Sequence, residues 1–212
     1  MSLLHKTIKA GARIIAITSS PIERKTSISI KSKFKNKIKI KNPETLIVGV
    51  IGRKNNIKEI NIEGILSIFI ECDADNATIQ IIKMIKRSRF YKQIKLIAIN
   101  GIAIAGLNII NIYEIKKQLD IDVIVITRDK PRSSKLINAL RKFKKENKIN
   151  IQQRIDIINK YKSISIYHEK FYIKTILEFK DIKNIIDLCN ELLRLSHLIA
   201  AGVKTGESKG RI

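Results

Sequence analysis

The chain has 212 residues, with 42 Lys and Arg against 19 Asp and Glu, for a formal net charge of +23. That length supports one sizeable core, and no apolar run approaches the roughly 20 residues of a membrane span. Charge this large bears on partners rather than fold: nucleic acid is the first class it suggests and an anionic membrane surface the second, while a Lys- and Ile-rich compositional bias explains it with no ligand at all.

The N-terminal run MSLLHKTIKAGARIIAIT has too short an apolar region for a secretory signal and no small-residue cleavage site. Cys72 and Cys189 sit far apart in apolar patterns, as buried small hydrophobes of a reducing compartment do. The cytoplasm is the expected location. With Trp absent and aromatics few, Ile fills the core.

Ala12–Thr18 reads as a first strand, broken by Thr18-Ser19-Ser20-Pro21. Ser27–Lys41 alternates apolar and mostly basic residues, the pattern of a half-exposed strand or hairpin. Its lysines suit a solvated edge that blocks edge-to-edge pairing or a ribbon contacting phosphates. Thr45–Gly52, Ile57–Ile62 and Gly64–Cys72 continue as an antiparallel meander. Asp73-Ala74-Asp75-Asn76 supplies helix caps, and Asn76–Phe90 carries a helical apolar stripe. Leu96–Ile99 is a buried strand ending in Asn100-Gly101. Sites in open α/β sheets form outside such strand ends, which makes Asn100 the first place to look for chemistry.

Ile110–Leu119 reads as a helix, Asp122–Thr127 as a strand parallel to Leu96–Ile99, and Pro131–Lys145 and Ile151–Tyr161 as helices. Ser163–Tyr167 and Phe171–Ile176 read as strands, and Asp181–Val203 as one helix or a broken pair, followed by a polar tail. One α/β domain over residues 1–212 is the simplest organisation, with Val48, Phe69, Leu96, Ile97, Val123 and Val125 buried in its sheet. There is no CxxC pair, HExxH, GxSxG or Walker loop.

Four segments read together carry a family signature: GILSIFIECDADNAT (Gly64–Thr78), RSRFYKQIKLIAINGIAIAGLNIINI (Arg87–Ile112), DVIVITRDKP (Asp122–Pro131) and LRLSHLIAAGVKTGESKGR (Leu193–Arg211). In order and spacing the chain resembles the archaeal endonuclease dU family, itself similar to endonuclease V. The resemblance implies a ribonuclease-H-like mixed sheet flanked by helices. It also implies metal-dependent phosphodiester cleavage near deaminated bases, uracil or hypoxanthine, with Mg²⁺ or Mn²⁺ as cofactor and DNA or RNA as partner.

The family pattern has an Asp pair in a GIDDGP-like run, which reads AITSSP here, so Thr18 and Ser19 stand where carboxylates are expected. Its LDGITF-like run reads INGIAI, so Asn100 replaces an Asp. Glu71 and Asp73 remain in ECDA, and His197 in HLIAAG. The resemblance therefore implies Asp73, Glu71, His197 and Asn100 as catalytic candidates. Asp73 and Glu71 would be metal ligands of a weak site, expected from strand alternation to face the same way. A hard divalent cation needs clustered anionic oxygens, and the hydroxyls and amide leave about two negative charges missing. Lys83, Lys86 and Arg89 end the first helix, where cations also suit its dipole. With Lys209 and Arg211 of the glycine-bearing tail they are the candidate phosphate contacts. The function expected is an endonuclease dU/endonuclease V-like nucleic-acid-binding protein with a degenerate metal site. The alternative is a catalytically inactive scaffold or partner subunit of an active nuclease.

Overall fold

The computed structural model describes residues 11–22, 43–54, 59–128, 130, 132–147, 151–162, 165–168, 171–175 and 179–208. The Lys-rich run Ser27–Lys41 and the tail residues Lys209 and Arg211 lie outside the described residues.

Three strands open the chain: β1 (Arg13–Ser19), β2 (Glu44–Lys54) and β3 (Ile60–Glu71). They form the expected antiparallel meander, with Ile17 opposite Gly49 and Val48 opposite Ser67. The two short strands read from Ile57–Ile62 and Gly64–Cys72 are one continuous 12-residue strand. Gly64 does not end it. A Cβ there would sit 2.6 Å from Cε2 of Phe90, so the glycine makes room for a ring packing on the sheet.

Helix α1 (Ala77–Lys86) and a single 3₁₀ turn (Tyr91–Gln93) lead back to β4 (Ile94–Asn100). A small hairpin follows, β5 (Ala103–Ile104) with β6 (Asn108–Ile109), and then α2 (Ile112–Leu119) and β7 (Asp122–Thr127). β4 runs parallel to β1 on one side and to β7 on the other, so the strand–helix–strand reading holds. Helices α3 (Ser133–Asn147) and α4 (Gln152–Lys162), strands β8 (Ser165–His168) and β9 (Phe171–Thr175), and helix α5 (Phe179–Thr205) complete the chain. The last of these is one unbroken helix of 27 residues. Among the described residues no helix is long and apolar enough to cross a membrane.

The seven strands lie in the order β3-β2-β1-β4-β7-β9-β8. An antiparallel meander whose first strand is joined in parallel by two later ones is the ribonuclease-H-like arrangement, here widened by the antiparallel β9 and β8. Two apolar layers cover the sheet. Ile15, Ile17, Ile97, Ile99, Val123 and Val125 pack with residues of α1 to α4. Ile14, Ala16, Val48, Leu96, Ala98 and Ile124 pack with Ile185, Cys189, Leu192 and Leu193 of α5. Burial pushes the Cys189 thiol up to about 12, as expected of an inert, small hydrophobe.

Five of the six residues expected in the sheet interior are buried: Val48, Leu96, Ile97, Val123 and Val125. Phe69 is the exception, at 59 % exposure. It belongs to the edge strand β3, on the side where α5 packs over the inner strands, so alternation turns it outward beyond the helix.

Tyr161 locks the second layer. Its hydroxyl donates to the carbonyl of Ile110 and accepts from the N–H of Ile112, 2.9 Å away, fixing the entry to α2. Lys174, 3 % exposed, donates from Nζ to the Tyr161 carbonyl at 3.1 Å, a cation at the end of α4. Tyr161→Phe removes the hydroxyl and leaves two backbone groups short of a partner in a dry interior. It is expected to cost about 2–4 kcal/mol, read as a lower urea midpoint with an unchanged m-value.

Candidate active site at the strand ends

The C-terminal ends of β1, β4 and β7 lie at one edge of the sheet, where β3 also finishes and α1 begins. Strand alternation fixes which side chains meet there. Ile14 and Ala16 of β1 and Leu96 and Ala98 of β4 face α5, so Thr18 and Asn100 do too. Glu71 pairs with Glu44 two residues along from the Phe69–Leu46 pair, and Leu46 belongs to the α5-side layer. Glu71 therefore shares the face of Thr18 and Asn100. Half-buried His197 sits on the same helix that roofs them.

The sequence gives no hint of how Thr18 is used. It is 1 % exposed, and its Oγ1 lies 3.2 Å from Oγ of Ser196 on α5. The Ser196 hydroxyl donates to the Val48 carbonyl at 2.6 Å. A hydroxyl has one proton to give, so Thr18 must be the donor to Ser196. The result is a closed relay, Thr18 to Ser196 to Val48, that draws α5 onto β1 and β2 with no net charge. Ser20 and Thr45 make a second hydroxyl pair at 2.8 Å, and Ser20 also binds Leu46 N. Ser19 falls on the other face by alternation and is half-buried.

Asp73 does not join this group. β3 ends at Glu71, and Asp73 stands in the turn after it with φ +59°. Alternation stops where the strand stops, so the expected shared face of Glu71 and Asp73 is corrected. The Asp73 carboxylate accepts from Leu107 N at 2.8 Å, and its own N–H donates to Ala105 O at 2.9 Å. Buried Arg154 of α4 donates to the carbonyls of Asp73, at 2.9 Å, and Leu107, at 3.2 Å. Gly106 has φ +83°, and a Cβ there would overlap Oδ1 of Asp73. Asp73 thus ties the end of β3 to the β5–β6 hairpin.

The helix cap also differs from expectation. Asn76 makes no side-chain cap bond; Asn108 of the hairpin accepts from Ala77 N at 3.3 Å instead and donates to Glu71 O at 3.0 Å. Burial, then the charge of Asp73, raises the Cys72 thiol pKa, against the pull of Lys204 from the end of α5.

A small open cleft of about 30 Å³ adjoins Asn100. Ile126, Thr127 and Arg128 at the end of β7, Phe171 of β9, and Asn190 and Leu193 of α5 complete its wall. Arg128, Asn190, Ser196 and Thr45 were not singled out from sequence. Their types carry no motif, and only the crossing of α5 brings the helical ones to the strand ends.

The basic residues fall elsewhere. Lys83 and Lys86 are exposed on α1, across the sheet from α5, and α1 runs from the strand ends toward the start of β4. Lys86 Nζ donates to Gln118 of α2 at 3.3 Å. The Arg89 guanidinium lies 4.9 Å from the centre of the Phe90 ring. None of the three reaches the face of Asn100 and His197.

A hard divalent cation calls for clustered anionic oxygens. Among the described residues no three His, Cys, Asp or Glu side chains gather. Thr18 is committed to Ser196, Asn100 is neutral, and the Asp73 carboxylate serves Leu107. Asp73→Ala is expected to lose about 1–2 kcal/mol of stability with the Leu107 bond. Asp73→Asn keeps an acceptor and is expected to lie within about 0.5 kcal/mol of the natural chain. Thermal unfolding of both variants in EDTA reads this supporting role, whereas a ligand role shows as a Mn²⁺-induced stabilisation that both variants lose.

Residues 10–204 match the sequence model of the family described as Endonuclease dU. A UPF0215 protein of Thermococcus sibiricus is 31% identical over 184 residues, covering 83% of this chain and 90% of that protein. One from Methanosarcina mazei is 33% identical over 181 residues, covering 80% and 88%. The crystal structure of an Archaeoglobus fulgidus protein of unknown function superposes with a TM-score of 0.71 at 23% identity, covering 91% of this chain and 98% of that one. The match runs through every strand of the meander, the parallel pair and nearly all of α5, and the chain belongs to the endonuclease dU family.

Proposed function

We propose that this protein binds nucleic acid at the strand-end face beneath α5 and that, on its own, it cleaves phosphodiester bonds weakly or not at all. Family membership supports nuclease-like nucleic-acid binding. The observation that carries the loss of chemistry is the hydroxyl relay from Thr18 through Ser196 to Val48, beside a neutral Asn100. The lineage implies a divalent cation, Mg²⁺ or Mn²⁺, held by carboxylates that place a water and neutralise developing charge. Here hydroxyls close over one carboxylate position and an amide fills another. Glu71 and His197 remain on the face, as groups that position a bound strand rather than attack it. Asp73 acts by holding the end of β3.

Lys83, Lys86 and Arg89, with Lys209 and Arg211, supply sequence-independent attraction to the backbone. With about four phosphates neutralised, log affinity for duplex DNA is expected to fall against log salt with a slope of roughly −3.6. A slope near zero in fluorescence anisotropy would assign the charge to composition alone.

The chemical half of the proposal is tested on strands containing deoxyuridine, deoxyinosine or an abasic site, with Mg²⁺ or Mn²⁺. The natural chain is expected to leave them intact. Thr18→Asp, Ser19→Asp and Asn100→Asp, made together because such groups act as a unit, are expected to raise Mn²⁺ affinity and bring measurable nicking. They also lower stability, since Thr18 is enclosed and a charge there is costly without a cation. Efficient nicking by the natural chain, abolished by Glu71→Ala, would overturn the proposal. Exposed Ile65 and Phe69 on the edge strand favour the second reading, an inactive partner of an active nuclease. Restored nicking only on addition of a co-purifying nuclease would support it.

A further inference from the structure

The end of the sheet away from Asn100 is strongly basic. There β1 and β4 begin and β2 finishes. Arg13 of β1, Arg53 and Lys54 of β2 and Lys95 of β4 lie at it, with Arg89 and Lys92 of the turn that leads into β4. The carboxylates at this end are Glu59 and Glu63 at the start of β3 and Asp120 and Asp122 at the start of β7. Both aspartates are spent on Lys116.

A bulge places Glu63. Ile51 pairs with Gly64 and Gly52 with Ile62, so Glu63 is the extra residue between them. Bulges re-aim side chains, and this one presents Glu63 to two guanidiniums at once. Arg13 takes both carboxylate oxygens, Nε donating to Oε2 and Nη2 to Oε1 at 3.3 Å. Arg53 Nε lies 2.8 Å from Oε1, in ion-pair contact without a hydrogen bond. One negative charge therefore serves two positive ones, and the trio keeps a net positive charge.

A staple between the strands needs only Arg13, so Arg53 is in excess of it. The Nε of Arg53 is buried, yet its side chain is 38 % exposed. Its two terminal nitrogens have no partner among the described residues and are open to solvent. That edge of a guanidinium offers two parallel N–H groups at the spacing of two phosphate oxygens. Glu63 steadies the group from behind, which reduces the side-chain entropy lost on binding. Next to Glu63 the Phe90 ring packs over Gly64, with the Arg89 guanidinium 4.9 Å from its centre, so a further cation stands close by.

We propose that Arg53, braced by the Arg13–Glu63 pair, is a phosphate clamp that takes a backbone phosphodiester of nucleic acid at a second point of contact, remote from the strand-end face. The inference rests on the nucleic-acid-binding reading and adds to it a fixed, directional contact at the basic end of the sheet. β4 separates the two ends by seven residues, a rise of roughly 20 Å. A strand covers that distance in about six phosphates.

The test uses the full chain and two probes. Inorganic phosphate is titrated against the isotope-labelled protein, following the Arg53 Nε–H resonance. A fluorescent deoxyuridine-containing duplex, long enough to span both ends, is then titrated over a range of salt. Phosphate is expected to shift the Arg53 resonance. Arg53→Gln is expected to weaken duplex binding roughly tenfold and to make the log–log salt slope shallower by about 0.9. Arg53→Lys keeps the charge and loses the fork; it is expected to hold the slope and weaken binding about threefold. Lys142→Gln, exposed on α3, is expected to change binding by less than about twofold. Because Arg13 still holds Glu63, both Arg53 variants are expected to unfold within about 2 °C of the natural chain. An unmoved Arg53 resonance, or a loss in Arg53→Gln no larger than in Lys142→Gln, would overturn the clamp and leave the nucleic-acid reading standing. A lowered unfolding temperature with unchanged binding overturns it too, since Arg53 is then a structural brace. Absence of duplex binding by the natural chain overturns the clamp and the reading beneath it together.

Discussion

The parallel pairing of β1 with β4 sets the conditions for the rest of the molecule. Ile14–Ile17 and Leu96–Ile99 are at most 1 % exposed, so this strand pair is buried on both faces. A doubly buried pair demands cover on each side, and the chain supplies α1 to α4 on one and α5 on the other. The only place where these strands meet solvent is their ends. Thr18, Asn100 and Glu71 occupy those ends for that reason, and α5 reaches them because its apolar stripe follows the even-numbered residues of β1 and β4.

With α5 seated, the groups at the strand ends must be satisfied with what the helix brings. A carboxylate at position 18 would be enclosed between Val48 and Ser196 and would need a cation to offset its desolvation. A threonine needs only an acceptor, and Ser196 provides it while passing its own proton to Val48 O. The neutral relay is thus self-consistent. It turns what would be an open charged site into a helix–sheet contact, and it moves the accessible part of the face toward Asn100 and the cleft beside it.

The meander, the parallel pair and the crossover through α2 were legible in sequence, because each rests on a period or a run that burial enforces. Phe69 was not, because its alternation is correct but coverage by α5 stops short of β3. The cap of α1 was not, because the acceptor is Asn108, more than thirty residues away. Asp73 was misread for a related reason: two residues' spacing implies a shared face only while the strand lasts, and the left-handed turn at Asp73 sends its carboxylate to Leu107. The neutral residues Thr18 and Asn100 were visible as departures from the family pattern, whereas Ser196 and Asn190 acquire meaning only from the packing of α5.

The placement of charge bears on how this face works. Lys83, Lys86 and Arg89 lie across the sheet from α5, and screening at physiological salt damps their field beyond about 8 Å. A strand drawn to the protein by its net charge of +23 is therefore not delivered to the strand ends by those cations alone. In the proposed mode of binding, the grip at the strand ends rests instead on short-range polar groups such as the Asn100 amide. Such contacts are set by geometry rather than by net charge, and that geometry is held by the two ties that brace the edge, Ser196 beneath α5 and Asp73 against the hairpin. Loosening the Ser196 tie, as by Ser196→Ala, releases α5 from Thr18 and Val48 without altering the total charge. Diffuse attraction and local grip are in this way separable properties of one chain.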